Sequence, residues 1–199
     1  MRIGFSISPS GWLAGLAFLG MLCWCATAHA QQLRIVAIGD SQFAGKGVAR
    51  SETYPAKLEA ALRAKGENVT VVNAGINGDT TSGVLARLDS AVPNGTILAI
   101  VSVGANDIVK HGVSPDEVAA NLNTIKSRLA ARGIEALILP YGRNLQGSLF
   151  EKPEYHVEKV HVATNTEWHL NAAGYDVVVA RTLPEVMAAL SRAKSRRKP

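Results

Sequence analysis

A serine at the end of a largely apolar run marks the first of four segments whose residue types could do chemistry together. Residues 39–42 read Gly-Asp-Ser-Gln and follow residues 34–38, a predicted buried strand. A serine hydroxyl becomes a nucleophile when a neighbouring base takes its proton. Ser41 is therefore a candidate nucleophile, and the alternative interpretation is a helix cap or a turn.

Two further segments offer hydrogen-bond donors for a developing negative charge. Residues 73–80 read Asn-Ala-Gly-Ile-Asn-Gly-Asp-Thr, and their glycines allow a sharp turn that exposes backbone N–H groups before a helix. Residues 104–107 contain Asn106, whose amide is a neutral donor suited to an oxyanion. The structural alternatives are a tight strand-to-helix turn for the first segment and an Asx turn for the second.

The fourth segment supplies a candidate base. His169 stands in Trp-His-Leu-Asn at residues 168–171, directly before the last helical pattern. A lone histidine at such a position is more often structural than catalytic. The other three histidines after residue 30 lie in loop or uncertain segments, however, and they lack this helix-opening pattern. They are His111, His156 and His161.

Short apolar runs alternate with helical patterns along the chain, which is typical of βαβ units and a parallel sheet covered on both faces. Four strands are predicted, with a fifth candidate at 157–162; the four are 33–38, 69–73, 97–103 and 134–139. Helices are predicted over 54–65, 80–88 and 114–132, with a last helical region after Asn171 that is kinked or broken near Pro184. The predicted fold is a flavodoxin-like, three-layer α/β/α sandwich with a four- to five-stranded parallel sheet. Ligands of such folds bind beyond the carboxyl ends of the strands, where three of the four segments lie.

Taken together, the four segments resemble the blocks of the GDSL/SGNH hydrolase family, which supply Ser, Gly, Asn and His in this order. The resemblance covers about residues 33–190. It implies Ser41 as the nucleophile and His169 as the general base. It also implies that the backbone N–H groups of Ser41 and Gly78 and the side-chain amide of Asn106 form an oxyanion hole. The implied reaction is acyl transfer from an ester or thioester to Ser41 and then to water, without a cofactor.

One position departs from the family pattern and leaves the third catalytic group open. The family usually carries Asp three residues before the catalytic histidine, where this chain has Thr166, followed by Glu167. A Ser-His dyad whose imidazole is oriented by a main-chain carbonyl near Thr166 is the first alternative. In the second, Glu167 reaches the imidazole through an altered loop, and in the third the protein is a weak catalyst. Gln42 also replaces the leucine of the family motif, which alters the pocket wall rather than the chemistry.

The first thirty residues predict a signal peptide, and residues 31–199 are then a single hydrolase domain. Arg2 supplies the positive end, residues 12–25 form an apolar run, and Ala-His-Ala at 28–30 is a cleavage site. The run is shorter than the roughly 20 residues that span a membrane as a helix. Since both cysteines, Cys23 and Cys25, lie in this segment, the mature chain has no thiol and no disulfide. The predicted location is periplasmic or secreted.

Charge and spacing exclude several other classes of function. Arg2 is the only charged residue in the predicted signal peptide, so the mature chain has 20 basic and 16 acidic residues and a net charge of +4. Much of the basic surplus lies in a tail at about 192–199. The tail is predicted to be solvated, and the alternative hypothesis is that it is attracted to an anionic envelope surface. Nucleic acid is excluded as a partner because aromatic residues do not interleave with the basic ones. No His and carboxylate cluster has metal spacing, and the glycines around Lys46 do not fit a phosphate-binding loop.

The predicted substrate is a small-molecule, lipid or glycan ester. A carbohydrate O-acetylesterase would use the same residues with acetate as the acyl group. A different class of function, a degenerate hydrolase fold that binds an envelope glycan or lipid without turnover, is the other alternative, and Thr166 and the basic tail motivate it.

Overall fold

The computed structural model describes Met1, Gly4 and residues 31–139 and 169–197. Its centre is a sheet of four strands in the order β2-β1-β3-β4, in which every neighbouring pair is parallel. This order is that of a flavodoxin-like, doubly wound sheet. The strands are β1 (Leu33–Gly39), β2 (Val69–Gly75), β3 (Thr96–Ser102) and β4 (Glu135–Ile138).

Helices connect the strands and cover both faces of the sheet. The short helix α1 (Ser41–Ala44) and a 3₁₀ turn at Arg50–Glu52 precede α2 (Tyr54–Ala64). The other helices are α3 (Thr81–Ala91), α4 (Ala105–His111), α5 (Pro115–Ala131) and α6 (Ala172–Ser195). The Ser114 hydroxyl caps α5 by accepting the Glu117 N–H at 3.2 Å, at the start of the predicted helix 114–132.

Alternate residues of the strands enter two separate hydrophobic cores. On β1, Ile35 and Ala37 join the core beneath α2 and α6, whereas Val36 and Ile38 join the core beneath α3 and α5. All seven residues of β3 are buried, because helices cover this central strand on both faces. The predicted three-layer α/β/α architecture is therefore confirmed, while the candidate strand at 157–162 lies outside the described residues.

The last helix excludes one of the two alternatives predicted near Pro184, a kink or a break. The chain does not break near Pro184, and α6 continues from Ala172 to Ser195 with the proline inside it. Its buried residues lie on both sides of the proline, including Val178 and Val179 before it and Val186 and Leu190 after it. Packing of these side chains against the sheet outweighs the cost of about 3 kcal/mol that an interior proline imposes on a helix.

Arg192, Arg196 and Arg197 are exposed, as predicted for a solvated tail, but the tail is bound to the body of the domain. Arg192 and Arg196 both bind the carboxylate of Glu135, at 2.8 and 2.7 Å. Lys194 binds Glu67, and Arg197 donates to the carbonyl oxygen of Gly95 at 3.2 Å. These contacts fasten the end of α6 to the body of the domain. Over the described part of the chain, no helix has the length and apolar character needed to cross a bilayer.

Candidate active site

Ser41 stands where β1 meets α1, at the carboxyl edge of the sheet. Asp40 begins the helix, because its Oδ1 accepts the Gln42 N–H at 2.9 Å, and its own N–H donates to the Ser102 carbonyl at 3.2 Å. Capping is therefore the role of Asp40, and the cap interpretation of Ser41 is wrong. A Cβ at Gly39 would lie 1.9 Å from the Ser102 oxygen, so only glycine lets β1 and β3 end this close together.

The structure brings Ser41 and His169 into direct contact. Ser41 Oγ lies 2.8 Å from His169 Nε2, although the two residues are 128 positions apart. The imidazole is largely buried, with 9% of the residue exposed. This distance is within the hydrogen-bond reach that a base needs to take a hydroxyl proton.

The start of α6 determines where the imidazole stands. The Asn171 side chain caps this helix by accepting the Gly174 N–H at 2.8 Å. One turn later, the buried phenol of Tyr175 donates to the Gln42 carbonyl at 2.7 Å, next to Ser41. Burial raises the pKa of Tyr175 above its ordinary value, which keeps the phenol protonated as a donor. Sequence reasoning missed this role, since the partner of Tyr175 is 133 residues away.

Gly78 lies in a tight turn after β2. The turn closes with a hydrogen bond of 3.1 Å from the Asp79 N–H to the Ile76 carbonyl, and Gly78 has φ of 81°, which favours glycine. The Ile76 N–H donates to the Gly39 carbonyl at 2.9 Å. The turn is thus fastened to the strand that carries Ser41.

Asn106 is buried in the first turn of α4, beyond the end of β3. Its Nδ2 donates to the Asp79 carbonyl at 2.9 Å, so the amide reaches the turn that contains Gly78. An amide nitrogen carries two hydrogens, which leaves a second donor on Asn106 for another acceptor. Since Gly78, Ser41 and Asn106 follow the adjacent strands β2, β1 and β3, all three lie at one edge of the sheet.

The residue after Asn106 has a structural role that sequence reasoning missed. The buried carboxylate of Asp107 accepts the Thr81 N–H at 3.0 and 3.1 Å and also the Thr81 hydroxyl. Asn121 on α5 donates to the same hydroxyl at 2.9 Å. Asp107 therefore joins the beginnings of α3 and α4, and with them the segments that contain Gly78 and Asn106.

Burial and nearby charges shift the pKa values of two groups at the site. Burial lowers the pKa of His169 below 6.5, and the positive charges of Lys46 and Lys110 lower it further. The imidazole is therefore neutral near pH 7 and able to accept a proton. Burial also raises the pKa of Asp40 to about 6, although the hydrogen bond from the Gln42 N–H opposes the shift.

Two residues of the predicted site, Thr166 and Glu167, lie outside the described residues, so the group that orients His169 stays a prediction. Within the described ranges, no three His, Cys, Asp or Glu side chains lie close enough together to hold a metal ion. The arrangement can remove a proton from Ser41, and it places neutral donors at the same edge of the sheet, as acyl transfer through an oxyanion requires.

Known esterases are similar to this chain in sequence and in fold. The arylesterase of Vibrio mimicus is 28% identical over 78% of this chain and 86% of its own length. Esterase TesA of Pseudomonas aeruginosa is 32% identical over 57% of this chain and 56% of its own length. The crystal structure of AlinE4, an SGNH-hydrolase family esterase, is 32% identical with a TM-score of 0.55 and covers 80% of this chain and 97% of AlinE4. The model of the GDSL-like lipase/acylhydrolase family matches residues 37–180, which is more than half of the sequence, and the chain belongs to this family.

Proposed function

We propose that this protein hydrolyses carboxylic esters or thioesters through an acyl-enzyme on Ser41, with His169 as the general base and no cofactor. The observation that carries the proposal is the 2.8 Å contact between Ser41 Oγ and His169 Nε2. Membership of the GDSL-like lipase/acylhydrolase family makes the chain an ester hydrolase, and this contact supports the assignment of the roles.

The reaction proceeds in two acyl-transfer steps. His169 Nε2 takes the Oγ proton as Oγ attacks the carbonyl carbon, and the tetrahedral intermediate then expels the alcohol or thiol, which receives that proton from the imidazolium. Water attacks the acyl-enzyme in the second step, with His169 again as the base, and the carboxylic acid and free Ser41 are released. The same group serves as base and then as acid in each step.

Three donors stabilise the oxyanion of both tetrahedral intermediates. They are the backbone N–H groups of Ser41 and Gly78 and the second amide hydrogen of Asn106. The hydrogen bond from Asn106 to the Asp79 carbonyl supports this role, because it fixes the plane of the amide before substrate arrives. Preorganised donors are worth more than mobile ones, and loss of one typically costs about 10²–10³ in turnover.

We propose that the protein acts on small ester substrates after export, with residues 1–30 removed as a signal peptide. The mass of the protein recovered from the exporting cell measures the cleavage. A recovered chain that retains residues 1–30 would contradict this part of the proposal.

Replacement of Ser41 tests the nucleophile. We expect Ser41→Ala to abolish labelling by a fluorophosphonate probe and to lower the rate of p-nitrophenyl acetate hydrolysis by at least about 10³-fold, because no hydroxyl remains to be acylated. Ser127→Ala, which changes an exposed serine of α5, is the matched control and should react like the wild type. Undiminished hydrolysis by Ser41→Ala would refute the assignment.

Replacement of Glu167 tests which group orients the imidazole. We propose the dyad with a main-chain carbonyl near Thr166, and Glu167→Gln should then keep kcat within a few-fold of the wild type. If the Glu167 carboxylate instead holds the tautomer, the same variant should lose up to about 10⁴-fold in kcat, as loss of the orienting acid does in other triads. Steady-state kinetics with p-nitrophenyl acetate separates the two outcomes.

The pH dependence of kcat/KM tests the base. His169 must be neutral to act, so activity falls as pH decreases through its pKa, and a lowered pKa places the midpoint of this acidic limb below 6.5. Lys46→Met removes a cation that disfavours the imidazolium, and the midpoint should therefore move to higher pH. Lys46 is the informative choice, because Lys110 shifts the pKa of both His169 and Asp40, whereas Lys46 is a cause of the shift at His169 only.

The control for this measurement is Lys126→Met, which removes an exposed lysine from α5 and should leave the profile unchanged. An acidic limb that does not respond to Lys46→Met, or that responds equally to Lys126→Met, would contradict the assignment of the limb to His169.

A further inference from the structure

Arg87 of α3 forms an ion pair beside the site that the roles assigned above do not use. Its Nε and Nη2 lie 2.8 and 2.7 Å from the same carboxylate oxygen, Oδ2, of Asp79. The side chains are 20% and 10% exposed, respectively, so solvent screens the pair only in part.

The same guanidinium also reaches the strand that carries Ser41. Arg87 Nη2 donates to the Gly39 carbonyl at 3.2 Å, and Gly39 stands two residues before Ser41. One side chain therefore links the end of β1 to the turn after β2. The Ile76 N–H, which donates to the same carbonyl at 2.9 Å, is a second link between these two segments.

Asp79 connects this guanidinium to two of the proposed oxyanion donors, the Gly78 N–H of the turn and the Asn106 amide of α4. Its backbone follows Gly78 directly, and its carbonyl accepts the Asn106 amide at 2.9 Å. The second carboxylate oxygen, Oδ1, accepts the Thr80 N–H at 2.9 Å. A Cβ at Gly83 would lie 2.0 Å from this oxygen, so glycine at that position of α3 leaves the room that Asp79 occupies.

An ion pair with so little exposure contributes little net stability, because desolvation of the two charges offsets most of their attraction. Its charge-assisted hydrogen bonds do fix geometry, however, since a guanidinium presents its donors in a rigid plane. We infer that Arg87 is a positioning residue. It holds the turn that contains Gly78 and Asp79, and with it the Gly78 N–H and the Asn106 amide, in place relative to Ser41. This inference rests on the proposed function.

Such a role predicts an effect on turnover rather than on substrate binding. The oxyanion develops in the transition state, so displaced donors weaken transition-state binding more than ground-state binding. A displacement of about 1 Å can cost about 10²-fold in rate.

The test compares Arg87→Met with Arg128→Met on p-nitrophenyl acetate. Arg128 of α5 is the matched control, because it also pairs with one carbonyl and one carboxylate: it donates to the Leu85 carbonyl at 2.9 Å and to Asp89 at 2.6 Å, both on α3. We expect Arg87→Met to lower kcat by about 10²-fold with KM within about twofold, and Arg128→Met to keep kcat. The affinity for phenylboronic acid, whose adduct with a serine hydroxyl is tetrahedral and anionic, should fall by a similar factor in Arg87→Met alone.

Asp79→Asn provides a second variant, because its amide oxygen can still accept the Thr80 N–H, whereas an NH2 group replaces the oxygen that accepts from Arg87, so the charge and the link to Arg87 are lost together. It should also lower kcat, and the double variant with Arg87→Met should be little worse than either single variant, because both changes break one link. Independent, multiplicative losses in the double variant would overturn the inference. An unchanged kcat in Arg87→Met, or an equal loss in Arg128→Met, would do the same.

Measurements on the wild-type protein separate this inference from the proposed function. A wild-type protein without fluorophosphonate labelling or turnover refutes the function of Ser41, and the positioning role with it. A wild-type protein that is labelled and active, combined with an equally active Arg87→Met, refutes the positioning role alone.

Discussion

Parallel pairing of β1 with both of its neighbours is the constraint on which the site depends. The register aligns Gly39 with Gly75 of β2 on one side and with Ser102 of β3 on the other. Because parallel strands all end at the same edge, three loops from distant parts of the chain must begin there together. The lack of a side chain at Gly39 lets the ends of β1 and β3 approach closely, and the hydroxyl of Ser41 follows two residues later.

Acidic and neutral residues have different roles at this edge of the sheet. Asp40, Asp79 and Asp107 each accept a backbone N–H at or near the start of a helix, from Gln42, Thr80 and Thr81. A carboxylate there is favoured by the positive end of the helix dipole. The groups proposed to face the oxyanion are uncharged donors. The carboxylates therefore stabilise the loops, while neutral donors remain available to bind the oxyanion. Arg87 further offsets the charge of Asp79, the carboxylate nearest the turn with Gly78.

Local sequence patterns predicted the elements and much of the site. The strands are near-continuous apolar runs, and their observed bounds lie within two residues of the predicted ones, as β1 and β3 show. Ser41, Gly78, Asn106 and His169 could be selected because strand ends, glycine turns and family order are all visible in the chain. The contacts that position them could not, because they depend on packing between distant elements. The unbroken helix through Pro184, the hydrogen bond from Tyr175 to Gln42 and the ion pairs of the basic tail with Glu135 are examples.

The base reaches the nucleophile through the docking of α6 rather than through a local turn. The phenol of Tyr54 on α2 shares a buried hydrogen bond of 3.0 Å with Thr182 in the middle of α6. Nearer the site, Lys57 binds Asp176 at 2.5 Å, and Tyr175 binds the Gln42 carbonyl at 2.7 Å. These contacts lie at two places on α6, near its start and near its middle, so a small rotation of this part of the helix would disrupt both. Since the hydrophobic side chains of α6 belong to the same core as those of β1 and α2, the packing that stabilises this half of the sheet also places the imidazole against Ser41.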